Sequence, residues 1–302
     1  MTSPGSAAEA GALLPLRSGD GSFSLHSAAF GEAFHADRGA VREAVETFVR
    51  PSALGRYDAG RRLRVVELCV GTGTNTLALL QACDDHGLTL DWWGLELDPR
   101  PLQLALASDD FRRPWDAGRL QALEALATSG RLLWGDARHS LAGGLPDDLR
   151  GRVDLVWHDA FSPRRCPQLW SLEVLQQLAA LLAPDGRLVT YCAAAAVRAG
   201  LQQAGLQLAS IPCSDPDRWC HGTVASPVEL EHDPGLRALT PMEREHLTSR
   251  AGEPYRDPDG RGEAPALLAA RDLAQRQHPG ISTGAWRRRW GVGTGGPTAA
   301  PQ

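Results

Sequence analysis

The stretch that decides the fold is Val65-Val66-Glu67-Leu68-Cys69-Val70-Gly71-Thr72-Gly73-Thr74-Asn75. It continues an apolar run that starts at Leu63 and is typical of a buried parallel strand. Gly71 and Gly73 then allow a tight turn that a ligand can approach closely. Strong helix formers follow from Thr74 to Ala82, with a capping residue at the start. Strand, glycine turn and helix together predict the nucleotide-binding corner of an open α/β sheet.

The residues around this turn help to separate two kinds of nucleotide cofactor. A dinucleotide fingerprint requires a third small residue where this chain has Thr76. Glu67 instead places an acid at the strand end, and this order resembles the first motif of S-adenosylmethionine (AdoMet) methyltransferases. In that reading Glu67, Gly71, Gly73 and Asn75 shape the methionine and ribose site. An NAD-type site and an ordinary strand-to-helix turn remain alternatives at this point.

Composition narrows the class of protein. The chain has 302 residues, a formal net charge of -5 and an ordinary hydrophobic share of 43%. No global basic field therefore indicates a nucleic-acid partner. All 31 basic residues are Arg, the better bidentate ligand for phosphate. Six scattered Cys without a C-x-x-C pattern are expected to be free thiols rather than metal ligands.

Targeting signals are also missing from the sequence as read. No apolar run reaches the length of a membrane span, and residues 1–20 lack a basic start followed by an apolar core. The expectation is a cytoplasmic protein with neither a membrane nor a metal partner.

Two later strands should bring acids to the same edge of the sheet. Glu96 ends the second strand, about twenty residues past the glycines, where an acid can accept hydrogen bonds from both ribose hydroxyls. Asp98 is its rival, and a solvated loop acid is the alternative. Asp136, followed by Ala137, ends the short third strand and can accept from an adenine amino group. A turn-capping Asp is the alternative there.

The fourth strand predicts the acceptor side of the site. It ends at Trp157 and is followed by Asp159, which we expect beside the glycine turn. With Phe161, Pro163 and Trp170, Asp159 would form an acid-plus-aromatic pocket suited to an amine nucleophile. Trp170 could equally be a core residue. His158 could be a base, although a hydrogen-bonded loop histidine is the simpler interpretation.

The ends of the chain differ from the middle. Residues 1–19 are rich in Gly, Ala and Ser and are predicted to be disordered. Residues 20–230 form the predicted catalytic domain, and residues 231–302 a helical extension. Near its end, Arg287, Arg288 and Arg289 lie between two Trp, a pattern that suits phosphate contact and base stacking. Packing of those Trp against the core is the alternative.

Seven strands with intervening helices, the last pair antiparallel, complete the predicted pattern. From Asp20 to about Ala225 this pattern carries residues that resemble the methyltransferase half of the bifunctional enzyme that makes 5-methylaminomethyl-2-thiouridine in tRNA, and above all its single-domain relatives. The matching pieces are Asp20-Gly21-Ser22, Phe34-His35, Gly39-Ala40, Glu43, Gly71-x-Gly73-x-Asn75, Glu96, Gly135-Asp136-Ala137, Asp159-Ala160-Phe161-Ser162-Pro163, Pro167-x-x-Trp170, Thr190-x-x-Ala193-Ala194 and Val197-Arg198.

The resemblance implies a Rossmann-like, seven-stranded class I fold that binds AdoMet. It also implies methylation of the amine of 5-aminomethyl-uridine, or its 2-thio form, at the wobble position of tRNA. Asp159 would orient or deprotonate that amine, and His35 would join the substrate pocket. Residues 214–218 are acidic where the family tends to be basic, and no FAD-dependent half is found. A small-molecule or polyamine methyltransferase and a non-catalytic AdoMet-binding partner of a tRNA-modifying complex are the alternatives.

Overall fold

The structure is a computed structural model that describes residues 11–35, 39–213, 220–230 and 233–292. It opens with a small antiparallel sheet of three strands, β1 (Leu13–Arg17), β2 (Phe23–Ser27) and β3 (Glu32–Ala33). Leu13 pairs with Ser27 and Arg17 with Phe23. The predicted disorder is therefore wrong for residues 11–19, because backbone pairing with β2 orders this segment. Residues 1–10 lie outside the described ranges.

The main sheet has eight strands in the order β11-β9-β10-β8-β7-β4-β5-β6. These are β4 (Arg62–Leu68), β5 (Thr89–Glu96), β6 (Leu132–Trp134), β7 (Val153–His158), β8 (Leu182–Thr190), β9 (Gln207–Ile211), β10 (Gly222–Ser226) and β11 (Arg237–Ala238). Strands β6, β5, β4, β7 and β8 are mutually parallel, whereas β10 runs antiparallel to β8 and β9. The predicted mostly parallel α/β fold with an antiparallel final pair is confirmed, and the C-terminal extension adds β11 antiparallel to β9.

Helices cover both faces of this sheet. They are α1 (Ala40–Glu43), α2 (Arg50–Ser52), α3 (Thr74–Asp85), α4 (Arg100–Leu106), α5 (Asp109–Arg112), α6 (Ala117–Thr128), α7 (Ala137–His139), α8 (Leu172–Leu181), α9 (Ala195–Gln203), α10 (Pro241–Thr248), α11 (Ala264–Gln277) and α12 (Thr283–Trp290). Ala44–Val49 joins α1 to α2 as a π-helical segment. Along β4, Val65 packs into the core on one face and Val66 into the core on the other. Strand β4 is thus buried on both faces, as its continuous apolar run predicts.

The C-terminal extension packs on the sheet through buried charge. Arg198 of α9 is 2% exposed and donates to Glu243 of α10 at 2.9 Å and to Ser210 at 2.9 Å. Glu243 also closes a capping box with Thr240 at the start of α10. Because each buried charge has partners, this contact holds α10 against α9 and β9.

Two further structural findings bear on the class of protein. Within the described ranges, no helix combines the length and the apolar character needed to cross a membrane. The six cysteines are free thiols, and no cluster of three or more potential ligands for a metal ion occurs in the same part of the chain.

Candidate active site

The turn after β4 is built by residues with left-handed backbones. Gly71 and Gly73 have φ angles of 58° and 81°, and even Cys69 has a φ of 66°. A Cβ on Gly71 would lie 3.2 Å from the Phe34 ring, and one on Gly73 would lie 2.9 Å from Leu123. Both glycines are therefore required, but for different reasons. Gly71 allows close approach on the cavity side, whereas Gly73 makes room for the packing of α3 on α6.

A cavity of about 1130 Å³ lies beside this turn. The carboxyl ends of β4, β5, β6 and β7 meet there because these strands are parallel. The predicted site residues that line it are Gly71, Asn75, Glu96, Asp136, Ala137, Asp159, Phe161 and His35. The position is the one where open α/β sheets bind ligands, and the volume can hold a nucleoside and a second reactant.

Glu96 is held at the cavity wall by the backbone. Its carboxylate accepts from the Gly71 N–H at 2.8 Å and from the Asp98 N–H at 3.0 Å. Burial raises the pKa of Glu96, and backbone hydrogen bonds partly offset this rise. A carboxylate offers about four acceptor sites, so capacity remains for the two hydroxyls of a ribose.

Asp136 caps α7 and accepts from the Arg138 N–H at 2.9 Å. The Arg138 guanidinium also contacts it, at 2.6 Å. Burial opposes the charged form, but these hydrogen bonds outweigh it and hold the pKa of Asp136 below its ordinary value. Asp136 is thus both the turn cap of the alternative interpretation and a charged acceptor facing the cavity.

Glu67 does not reach the cavity. It is fully buried in β4, where one carboxyl oxygen accepts from Thr76 Oγ1 and from Trp92 Nε1, each at 2.8 Å. Burial raises its pKa to about 7. Its side chain points under α3 rather than toward the turn, since alternation along β4 decides its face. Thr76, which is too large for the third position of a dinucleotide motif, thus serves as a hydrogen-bond donor to Glu67.

Asp159 follows β7 and is half-buried at the cavity. Asn75 Nδ2 donates to its Oδ2 at 2.7 Å, and its own N–H donates to Leu68 O at 3.1 Å. Burial, and next the negative charge of Glu43, raise the pKa of Asp159 well above its ordinary value. The predicted acid therefore lies beside the glycine turn with a strengthened affinity for a proton.

Aromatic rings surround this acid, although they differ from the predicted set. Phe161 stacks on Phe30 with ring centroids 4.5 Å apart and meets Phe34 edge-on at 5.0 Å. Pro163 and Trp170 do not line the cavity. Trp170 is fully buried, and its indole N–H donates to Phe161 O at 2.8 Å. Trp170 therefore supports the Phe161 loop from within the core, as its alternative interpretation holds.

The two histidines differ in position. His35 lines the cavity, contacts Ser24 Oγ at 3.0 Å, and has a pKa lowered to about 4 by burial. His158 is fully buried and stacks on Trp170 with ring centroids 3.9 Å apart. Burial lowers the pKa of His158 to about 3. Neither ring nitrogen of His158 has a hydrogen-bond partner among the described residues. His158 is therefore a buried residue of β7 and not the hydrogen-bonded loop histidine that the sequence suggests.

Three further polar residues line the cavity that the sequence does not indicate as site residues. Glu43 was noted only for family likeness, yet it lines the cavity from α1. Glu32 accepts from the Ser162 N–H at 3.0 Å and so ties β3 to the Phe161 loop. Tyr191 donates to Ala160 O at 2.9 Å. In the sequence, only the polar-aromatic character of the segment that holds Phe30 and Glu32 hints at this wall of the cavity.

The arginines of the extension do not line the cavity. Arg287, Arg288 and Arg289 are exposed on α12, and Arg289 pairs with Glu245 at 2.6 Å. Trp286 is 1% exposed and stacks on His246 with centroids 3.8 Å apart. For Trp286, packing rather than base stacking is the role that the structure shows. The acidic segment at 214–218 lies outside the described residues.

Comparisons with known proteins agree with this geometry. A family model described as S-adenosyl-L-methionine-dependent methyltransferase matches residues 111–218. The chain is 30% identical over 207 residues to the tRNA 5-methylaminomethyl-2-thiouridine biosynthesis bifunctional protein MnmC of Azoarcus sp. strain BH72, covering 62% of this chain and 32% of that protein. It is 32% identical over 202 residues to the MnmC of Cupriavidus necator, covering 62% of this chain and 31% of that protein.

A solved structure extends the likeness over nearly the whole chain. The crystal structure of MNMC2 from Aquifex aeolicus superposes with a TM-score of 0.73 and 25% identity, covering 88% of this chain and 86% of that one. By contrast, the chain spans about a third of the length of the curated bifunctional relatives. The chain is therefore an S-adenosyl-L-methionine-dependent methyltransferase with an MnmC-like methyltransferase domain.

Proposed function

We propose that this enzyme methylates the primary amine of 5-aminomethyl-uridine, or of its 2-thio form, at the wobble position of tRNA. The observation that carries the proposal is Asp159, an acid of raised pKa that lies at the cavity beside the Gly71 turn, within a wall of phenylalanine rings. The MnmC relatives are named for the biosynthesis of a tRNA nucleoside, which supports a tRNA nucleoside as the substrate class.

The cofactor residues follow from the cavity wall. Glu96 would accept from the ribose hydroxyls, Asp136 would accept from the adenine amino group, and Ala137 would complete the wall next to Asp136. Gly71 and Asn75 border the methionine part. AdoMet bound there supplies an electrophilic methyl group on a sulfonium, which leaves as a neutral thioether. Gly73 and Glu67 act from behind the cavity: Gly73 makes room for α6 against α3, and Glu67 joins α3 to β5 through Thr76 and Trp92.

Asp159 prepares the amine for attack. A free alkylamine is mostly protonated at neutral pH and has no lone pair to offer. The Asp159 carboxylate binds the ammonium form, accepts one proton, and keeps a hydrogen bond to a remaining N–H. Its raised pKa favours this transfer, and Asn75 holds the other side of the carboxyl. The neutral nitrogen then has a lone pair to present to the methyl group that bound AdoMet would supply.

The surroundings suit a flat, partly cationic substrate. The rings of Phe30, Phe34 and Phe161 present apolar faces to a base and tolerate a nearby positive charge. His35, whose pKa burial lowers to about 4, is neutral at physiological pH and does not repel an ammonium group. We therefore place the uracil ring against this wall, with its amine toward Asp159.

We further propose that residues 20–230 carry the chemistry and that residues 231–302 form an extension packed on them. Arg287, Arg288 and Arg289, exposed on α12, are candidates for contact with the tRNA backbone around the anticodon. A tRNA substrate would place the enzyme in the cytoplasm.

Mass spectrometry of nucleosides tests the proposal. Bulk tRNA from cells that make the aminomethyl nucleoside but lack the methyltransferase would be incubated with the purified chain and AdoMet. We expect loss of aminomethyl-uridine and gain of its methylaminomethyl form. The control is tRNA from cells that cannot make the aminomethyl group, which should gain no methyl. Unmodified aminomethyl-uridine after long incubation with an enzyme that binds AdoMet would reject the substrate assignment.

A small cationic amine is the second candidate. Glu32, Glu43 and Asp159 bring three carboxyl groups to one cavity, and the net charge of -5 does not favour RNA. A polyamine would suit these charges. The same incubation with polyamines in place of tRNA separates the candidates, since methylated polyamine without methylated tRNA would favour this second function.

A further inference from the structure

A loop of the extension, residues 253–262, is docked beside the cofactor site. The Leu172 N–H at the start of α8 donates to Tyr255 O at 2.9 Å, and Tyr255 is 3% exposed. The Asp257 N–H donates to Glu173 Oε2 at 2.8 Å. One backbone–backbone and one backbone–side-chain hydrogen bond therefore hold this loop to the first turn of α8.

Asp257 is the buried acid of this loop. It is 3% exposed, and one of its oxygens accepts from the Gly262 N–H at 2.8 Å and the Arg261 N–H at 3.2 Å. Its other oxygen accepts from Arg138 Nη1 at 2.8 Å. Both buried oxygens of Asp257 therefore have hydrogen-bond partners, and one of them is held by Arg138.

Arg138 joins Asp257 to the cofactor side. Its Nη1 also donates to Gly262 O at 2.9 Å, whereas its Nε and Nη2 face Asp136 at 3.1 Å and 2.6 Å. The guanidinium is a rigid plane, so partners on its outer edge orient the inner edge as well. If Asp257 and Gly262 O did not hold Nη1, the guanidinium would be free to rotate, and the Asp136 carboxylate bound to it would change its orientation as well.

We propose that Asp257 is a positioning residue of the cofactor site: acting through Arg138, it holds the Asp136 carboxylate in the orientation that accepts from the adenine amino group. The extension then completes a binding site whose other walls belong to the main sheet. This inference rests on the proposed contact between Asp136 and adenine. It also gives residues 253–262 a role that tRNA contact does not explain.

Calorimetric titration of the full chain tests this, with S-adenosylhomocysteine and S-inosylhomocysteine as ligands. The inosine form carries a carbonyl oxygen where adenosine carries the amino group, so it offers Asp136 no donor. In Asp257→Asn the new amide N–H₂ faces a guanidinium that also donates. We expect affinity for the adenosine ligand to fall by about tenfold and affinity for the inosine ligand to change less than about twofold.

Arg256→Gln is the matched control, because Arg256 lies on the same loop and pairs with Glu173 at an exposed position. It should leave both affinities unchanged. Arg138→Lys is the second variant, since an ammonium cannot span two carboxylates in this way. It should reproduce the loss of preference, and it carries the test alone if Asp257→Asn does not fold.

Equal losses for both ligands would overturn the proposal, because a merely loosened fold does not distinguish the two bases. Unchanged affinities in Asp257→Asn and Arg138→Lys would overturn it as well. Asp136→Asn separates this failure from failure of the site assignment. If Asp136→Asn leaves the preference for adenosine intact, then Asp136 does not read the base at all.

Discussion

Glu67 is an acid whose hydrogen bonds go to neighbouring side chains of the core rather than to a ligand. The Thr76 hydroxyl and the Trp92 indole both donate to one of its oxygens, whereas the other oxygen has no partner among the described residues. A buried carboxylate with one bare oxygen is costly, and the raised pKa of about 7 expresses that cost. Glu67 is thus best accommodated as the neutral acid.

Replacing Glu67 by Gln should change how stability depends on pH. The folded state holds the Glu67 proton up to about pH 7, whereas the unfolded chain releases it near the ordinary value of 4.5. Stability that this group contributes is therefore fully present below pH 4.5 and is lost as pH rises through 7. Relative to wild type, Glu67→Gln should gain about 3 kcal/mol of unfolding free energy between these limits.

Urea unfolding of both proteins at a series of pH values measures that difference. The contributions of the other titrating groups cancel in the difference between the two unfolding free energies, because both proteins contain those groups. Parallel stability curves from pH 4.5 to 8 would show that Glu67 is already charged in the folded protein.

Asp159→Asn should separate binding from turnover. The Asn side chain keeps the shape and can still lie beside Asn75, but it has no basic oxygen to accept a proton from the substrate ammonium. Affinity for S-adenosylhomocysteine should stay near wild type, while methyl transfer falls by roughly 10²-fold or more. Part of the loss should return at high pH, where the amine deprotonates without help. Rapid methyl transfer by the Asn variant at neutral pH would reduce Asp159 to a turn residue.

At the scale of elements, features that depend on residues close together in the sequence were predictable. The apolar runs predicted the strands, and acids at their carboxyl ends fell together because parallel strands end at one edge. Partners distant in sequence stayed hidden: β1 needs β2, Glu43 comes from a helix before the first motif, and Phe30 replaces Trp170 beside Phe161. Burial on one side of a strand, as for Glu67, also depends on packing that no motif records.

Helix α10 carries the contact that attaches the extension. Glu243 is 5% exposed and accepts from both Arg198 and Arg237. Glu243→Ala leaves the Arg198 charge buried without this carboxylate, so it should lower the free energy of unfolding by about 3 to 5 kcal/mol. Glu245→Ala on the same helix removes a partly exposed partner of Arg289 and should cost about 1 kcal/mol or less.

Thermal or urea unfolding of the two variants gives the comparison, and hydrogen exchange locates the effect. Exchange in Glu243→Ala should rise first in α10 and β11. Similar small losses in both variants would mean that apolar packing, rather than this ion cluster, holds the extension.

At the scale of the whole molecule, the charge is acidic but its distribution is not uniform. Arg164 and Arg165 follow the Phe161 loop directly and are exposed. The Arg165 guanidinium lies over Gly31, about 3.6 Å from where a Cβ would be, at the edge of the small sheet. Neither arginine makes a salt bridge to an acid within the described ranges, unlike Arg289 of α12. Among the described residues, Arg164 and Arg165 are thus two cations without an ion pair beside the acceptor side of the cavity.

The salt dependence of tRNA binding should reveal which arginines meet phosphate. Each phosphate contact releases counterions, so its loss makes the plot of log affinity against log salt shallower by about 0.7 to 0.9. Arg164→Ala with Arg165→Ala should reduce the slope by about 1 to 2. Ala at Arg287, Arg288 and Arg289 should reduce it further if α12 also reaches the RNA.

The control is Arg62→Ala with Arg152→Ala. Both arginines are exposed and lie at the amino ends of β4 and β7, on the far edge of the sheet from the cavity. This pair changes the net charge by the same amount as the pair beside the cavity, so a purely global field would shift both slopes equally. Local contact instead predicts a shallower slope for the cavity pair alone. A slope equal to that of the wild type in every variant would mean that the tRNA phosphates do not contact any of these arginines.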